Sequence, residues 1–415
     1  MEIKQGNIGV DVSFYNDLEK QKLLKYPTKA KLKQAVSQPL LIPIGEFLTL
    51  SLLHLKKSKS PSFDSYDKLK NLNKMGLSIL CGLVNFNGQS ISIPSGQTLL
   101  SDHTEHIGEA IGLAVINKVH GLIEADWMPI DQTSRHKSLD YSIASSGSSY
   151  IEVENKGSSN NDNSKKTSSV SHHYADIKKK KSETKALVAA GKAVPGLRYG
   201  TVTVLDHNPK GNVRCWLTDP PTTAQYRDPY EYKIKSRLSF YYWIISIISP
   251  QSQVTLELGD RLYKFNNSES FRDLDNLPLK RRRADENSEG YSYETGSEQL
   301  IGKSFSFMSG KSRVVDGGGI VVRLSENYLM MMGVRNELLD YIVKQNFEQL
   351  ITLNLNSGTK ENDEISLVLS NSKLAKLNLS NLQGLERSGK YMEVKLSCTT
   401  HTSPSGLIFS FIKIK

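Results

Sequence analysis

One stretch, Leu139 to Lys156 (LDYSIASSGSSYIEVENK), restricts the fold more than any other part of the chain. Its centre, Ser145-Ser146-Gly147-Ser148-Ser149, is turn composition, because Gly and Ser accept tight backbone geometry. Leu139 to Ala144 before it reads as the end of a strand. Tyr150 to Lys156 after it is rich in β-formers and alternates with a period of two. In an extended chain that alternation sends Glu152, Glu154 and Lys156 to one face, and Ile151 and Val153 to the other. A hairpin brings Asp140 beside the charged face.

Carboxylates gathered in this way repel one another unless protons or a cation intervene. Two readings stand at this point. The face can be a solvated surface with a Glu–Lys pair. It can also be a site for a divalent cation, for which hard carboxylate oxygens suit magnesium. In that case a lysine two residues on steadies developing negative charge or positions a water.

The rest of the chain narrows the function classes. Its 415 residues suffice for two or three domains, and the formal net charge of +10 favours an anionic partner such as nucleic acid. Cys81, Cys215 and Cys398 are far apart and form no CxxC pair, which argues against a zinc knuckle and a disulfide framework. The opening MEIKQGNIGVDVSF has no apolar leader region. The most hydrophobic run, Leu238 to Ile248, falls short of the roughly 20 residues a bilayer span needs. A cytosolic protein without membrane contact is the expectation.

On the N-terminal side of the hairpin, residues 99–123 read as a helix, with Ser101 or Asp102 as cap. Ile107, Ile111, Ala114, Val115 and Val119 recur at helical spacing, and Gly121 fits its end. A second stripe of Glu105, Gly108, Glu109 and Gly112 mixes acidic with small residues, so another element can approach closely. His103, His106 and Glu109 do not follow the HExxH pattern, and no later His pair completes a zinc set. On the C-terminal side, residues 157–169 read as a polar loop. Val170 to Ala190 then reads as a helix that opens with His172 and His173 and carries Lys178, Lys179, Lys180 and Lys181, with Lys165 and Lys166 ahead of it. This densest basic patch is either a solubilising face or a phosphate-contacting one. Arg198 to Leu205 is a strand, with Val213 to Leu217 as its partner.

The order is therefore helix with Glu109, strand with Asp140, strand with Glu154-Asn155-Lys156, basic helix, strand. It resembles the PD-(D/E)XK nuclease superfamily across roughly residues 99–220. Leu139 stands where that superfamily often has a proline. The resemblance implies an α/β fold, a mixed central sheet flanked by helices. It also implies a metal-dependent endonuclease acting on DNA in restriction, defence against foreign DNA or repair. Asp140, Glu154 and Lys156 would be the catalytic set. Asp140 and Glu154 would hold magnesium, or manganese in its place, with the Asn155 carbonyl and Glu109 as further ligands. Lys165, Lys166, His172 and Lys178 to Lys181 would contact DNA. Glu152 competes with Glu154, and Glu154 takes the metal role because it alone has lysine two residues later. A non-catalytic nucleic-acid-binding or assembly subunit, and a ribonuclease, are the alternatives. A second copy of the chain or a defence-system subunit is an expected partner.

The boundaries that follow are 1–98, an N-terminal α+β region; 99–250, the nuclease-like core; 251–298, a strand and polar linker; and 299–415, a β-rich α+β domain. The first region has lysine-rich helical stretches between Asp17 and Val36, and strands at 77–84 and 90–93. Residues 254–265 read as a strand or hairpin. The basic tetrad 280–283 lies in the linker. Ser309-Gly310-Lys311-Ser312 fails the phosphate-loop pattern because Phe305 stands where its first glycine belongs, and Gly317-Gly318-Gly319 reads as a turn.

Overall fold

Two sheets organise the chain, and the parity of their apolar residues shows why. The computed structural model describes residues 3–4, 6–53, 85–87, 90–93, 101–128, 141–146, 150–189, 197–207, 211–218, 229–248, 252–267, 271–279, 306–309, 315–379, 385–386 and 391–414. Asp140, the strand expected at 77–84 and the basic tetrad at 280–283 lie outside these residues. The described residues fall into two compact units, and the division comes inside one helix, between Arg237 and Leu238.

The N-terminal unit is built on an eight-stranded mixed sheet. Asn7–Phe14, given no element by the sequence reading, is strand β1, with Ile8, Val10 and Val12 buried by alternation. It pairs antiparallel with β2 (Leu40–Pro43) and parallel with β8 (Val213–Thr218). β7 (Leu197–Asp206) runs antiparallel to β8 and parallel to β6 (Tyr150–Asn160), which is antiparallel to β5 (Tyr141–Ser145). The short hairpin β3 (Asn85–Asn87) and β4 (Ser90–Ser92) joins the end of β7 at Ser92 and Asp206. The expected boundary at residue 98 thus crosses one sheet. Helices α1 (Asp17–Leu23), α2 (Lys29–Ser37) and the fully buried α3 (Ile44–Leu53) complete the N-terminal stretch.

β6 does not stop at Lys156. Its parallel ladder with β7 continues to Asn160 and Asp206, carrying polar residues that composition alone had assigned to a loop. Parallel neighbours need a crossover, and α5 (Ser168–Ala189) supplies it. α4 (Ser101–His120) covers the opposite face. A Cβ at Gly108 would stand 2.5 Å from Gly157 Cα, so helix and strand touch backbone to backbone. The small-residue stripe predicted on this helix is therefore the seat of β6. α6 (Pro229–Ile248) is anchored in this unit by Arg237, which clamps Asp126 with bonds of 2.6 and 3.0 Å.

The second unit is a seven-stranded antiparallel sheet whose pairing order returns on itself. β9 (Ser306–Ser309) pairs with β10 (Val315–Arg323), which pairs with β11 (Tyr328–Arg335), then β15 (Leu407–Lys413), β14 (Tyr391–Thr402) and β12 (Gly358–Ser370). β12 closes the ring on β9, and β13 (Leu385–Glu386) lies beside β14. Closure leaves no free edge in the ring. Alternate residues Ile365, Leu367 and Leu369 with Val394, Leu396 and Cys398 form part of its core.

Two expectations change here. Gly317, Gly318 and Gly319 lie within β10, not in a turn. A Cβ at Gly317 or Gly319 would strike the backbone of β11, so the glycines permit close strand crossing. Residues 253–266 form helix α7 (Gln253–Asn266), not a strand. Val254, Leu258, Leu262 and Phe265 make one buried stripe, and Ser252 Oγ caps it by accepting from Thr255 N. Residues 336–352 form two helices, α8 (Asn336–Lys344) and α9 (Phe347–Thr352), parted by Gln345 at φ 52°. α10 (Asn371–Lys376) follows β12. Among the described residues no helix is long and apolar enough to cross a membrane.

Candidate active site

The site is built on the β6 strand, whose two faces do different work. Odd-numbered residues face α4. Asn155 Oδ1 accepts a 2.6 Å bond from Thr201 Oγ1, and a Cβ at Gly112 would collide with both side chains. Even-numbered residues lie under α5, where Ser158 and Ser169 share a 3.1 Å hydroxyl contact. Ile177 of α5 is buried with Val202 and Val204 and packs where a Gly200 side chain would be, which fixes the helix over the sheet.

Glu154 therefore points beneath the basic helix and is fully buried. Its Oε1 meets two ammonium groups: Lys180 Nζ of α5 at 2.7 Å and Lys156 Nζ at 3.1 Å. The lysine side chains keep 22% and 15% exposure, so the cluster is reachable from solvent. One buried carboxylate oxygen thus meets two ammonium groups, one from the strand and one from the crossover helix. His173, on the preceding turns of α5, has its pKa lowered first by burial and then by the Lys156 charge, with His172 adding to the effect.

Glu152 shares the face but not the cluster. Arg198, its register partner on β7, donates to it from Nε at 2.6 Å and from Nη2 at 3.4 Å. Burial raises the Glu152 pKa, and the Arg198 charge opposes that rise. Sequence spacing could not reveal Arg198, because the parallel register that brings it to Glu152 spans 46 residues.

The other predicted residues are distributed as follows. Glu109 is buried on α4, with His106 Nδ1 3.7 Å from its Oε2, and α4 lies across β6 from Glu154. Asn155 turns its side chain to the α4 face and leaves Nδ2 without a hydrogen-bond partner. Lys181 is turned inward and donates to Thr218 Oγ1 at 2.9 Å, whereas Lys178 and Lys179 are exposed. The lysine tetrad is thus split by helical periodicity into an inner pair and an outer pair. Lys165 is exposed beside Asp162 at 3.2 Å, and His172 pairs with Asp176 at 3.3 Å. The Lys166 ammonium sits 4.9 Å from the ring centres of both Tyr15 and Trp216, and Lys178 lies 5.4 Å from Tyr174, itself stacked on Tyr15. Cation–π contact holds these ammonium groups at the surface of the unit.

Magnesium favours hard oxygen ligands, and Glu154 supplies such a group. Among the described residues no group of three or more His, Cys, Asp or Glu side chains is placed to hold a metal ion. Asp140 is outside those residues; its chain neighbour Tyr141 pairs with Val153, next to Glu154. Among the described residues the site offers one carboxylate, held by two ammonium groups, and this is not by itself a donor set for the ion. Comparison with protein-family models, with curated proteins and with solved structures finds no match to this chain.

Proposed function

We propose that the chain is a divalent-metal-dependent endonuclease that hydrolyses DNA phosphodiester bonds through a restriction-endonuclease-like core, in restriction, defence or repair. The observation that carries this reading is the buried Glu154 carboxylate with Lys156 and Lys180 on one oxygen, under a crossover helix that exposes further lysines. The element order α4, β5, β6, α5, β7 supports it, with β6 and β7 parallel.

In this reading Glu154 and Asp140 hold magnesium, or manganese in its place. The ion when bound supplies charge to the scissile phosphate and lowers the pKa of a water. Lys156, rigidly placed on the strand and partly exposed, orients that water and stabilises the charge growing on phosphate. Glu109 completes the site through water or a second ion. Lys165, Lys166, Lys178 and Lys179 hold the phosphate backbone.

A specific observation favours a second reading. Glu154 already has its charge neutralised by lysine, as in a purely structural ion cluster, and a non-catalytic nucleic-acid-binding subunit would need nothing more. Incubation of the purified chain with plasmid, linear and single-stranded DNA, and with RNA, in magnesium, manganese or EDTA separates the two. Metal-dependent cleavage that falls about 10²–10³-fold in Glu154→Gln and in Lys156→Ala supports the nuclease. Cleavage undiminished by both changes sinks the site assignment. DNA binding without cleavage by wild type turns the reading to the second. Cleavage confined to RNA replaces the substrate.

A further inference from the structure

Three contacts fix where α5 lies along β6. Ser169 Oγ meets Ser158 Oγ at 3.1 Å, and Lys180 Nζ meets Glu154 Oε1 at 2.7 Å. Between them Ile177 packs where a Gly200 side chain would be, and Gly200 is the register partner of Glu154. Helix and strand therefore run in opposite directions, and their spacings match. Four helical residues advance about 6 Å, and two strand residues about 6.6 Å. Ser169, His173 and Ile177 thus stand level with Ser158, Lys156 and Glu154 in turn. We infer that His173 is a proton-transfer residue of this site: its imidazole takes the proton of the water that attacks a phosphodiester, while the Lys156 ammonium stabilises the charge growing on phosphate. The inference rests on the phosphodiester-hydrolysing reading of β6.

The electrostatics agree with this placement. Burial lowers the His173 pKa most, and the Lys156 charge is the next cause; His172 adds to it, and Asp176 and Glu105 oppose it. Lys156 belongs to β6, His172 and Asp176 to α5, and Glu105 to α4, so three elements face the imidazole. Glu105 comes near because α4 crosses the strand at Gly157, where a Cβ would stand 2.9 Å from Glu105 Cα. The net result is an imidazole that is neutral at pH 7, the state a general base requires. His173 is half-buried, and among the described residues its ring nitrogens have no hydrogen-bond partner, whereas His172 pairs with Asp176. In the step itself the water proton passes to the imidazole as the new P–O bond forms. The bond from phosphorus to the leaving oxygen breaks, that oxygen takes a proton from solvent, and His173 returns its own to solvent.

The test is the pH profile of kcat/KM for nucleic-acid cleavage by the full chain, beside an NMR titration of the His173 imidazole. Cleavage is expected to fall on the acid side with an apparent pKa below 6.5 that matches the titration of that imidazole. His173→Gln is expected to lower cleavage about 10²–10⁴-fold and to remove the acid limb, with DNA affinity unchanged. Full activity in His173→Gln overturns the inference. So does a lowered rate whose acid limb stays where it was, since that is a structural effect. If the variant fails to fold, a mismatch between the wild-type acid limb and the imidazole titration overturns it. Cleavage that survives His173→Gln but is lost in Glu154→Gln removes this inference and leaves the nuclease reading standing. No cleavage by wild type on any substrate removes both.

Discussion

The two units bury polar groups in different ways. The N-terminal unit buries full charges: Asp126 with Arg237, Glu152 with Arg198, and Glu154 with its lysines. The closed antiparallel unit buries mostly hydroxyls, with Thr400 on Ser410 and Ser403 on Ser405, each at 2.9 Å. Its buried His401 uses both ring nitrogens, at 2.8 Å to Thr359 Oγ1 and 2.8 Å to the Ile3 carbonyl. Neutral hydrogen bonds are easily satisfied inside a barrel and specify its packing. Buried ion pairs add little net stability over apolar packing, because desolvation offsets their attraction.

The sharpest way to break this contrast is to orphan one buried group in each unit. Arg198→Met leaves the Glu152 carboxylate unpaired and is expected to lower the unfolding free energy by about 3–5 kcal/mol in urea denaturation. The double change Glu152→Leu with Arg198→Met is expected to regain most of it. His401→Phe orphans only a hydroxyl and a carbonyl, for about 1–3 kcal/mol. Equal losses in the two units would erase the distinction.

A second test uses pH. Burial first, and then the Lys31 charge, lower the pKa of His120 from 6.5 to about 4, and its Nε2 lies 2.9 Å from Tyr199 Oη. Between those values the unfolded chain binds the extra proton. Stability is therefore complete above pH 6.5 and is lost as pH falls towards 4, by on the order of 3 kcal/mol from this group. His173 acts in the same direction. Thermal melts from pH 7.5 to 4.5 should show the decline, and His120→Gln should flatten it. An unchanged slope would remove His120 as its source.

The smallest expected effect concerns the outer lysines. Lys166→Glu with Lys178→Glu should leave the melting temperature near wild type and weaken DNA binding. The log–log salt slope should become shallower by about 2, one unit for each phosphate contact. An unaltered slope would make the exposed face of α5 a solubilising one.

Much of the local architecture was legible in the residues. Period-two alternation in Tyr150–Lys156 and helical spacing in residues 101–120 both formed, because each pattern offers one apolar face to bury. The helix α7 was misread because Val254-Thr255-Leu256-Glu257-Leu258 alternates locally, while the stripe that packs is Val254, Leu258, Leu262 and Phe265. β1 went unread because a strand buried by distant partners carries little signal of its own beyond Ile8, Val10 and Val12. At the site, sequence placed Glu152, Glu154 and Lys156 on one face, since side-chain parity is local. It could not say that Glu152 belongs to Arg198 or that Lys180 reaches Glu154. Those pairings depend on parallel register and on where a crossover helix lands, and only tertiary packing decides them.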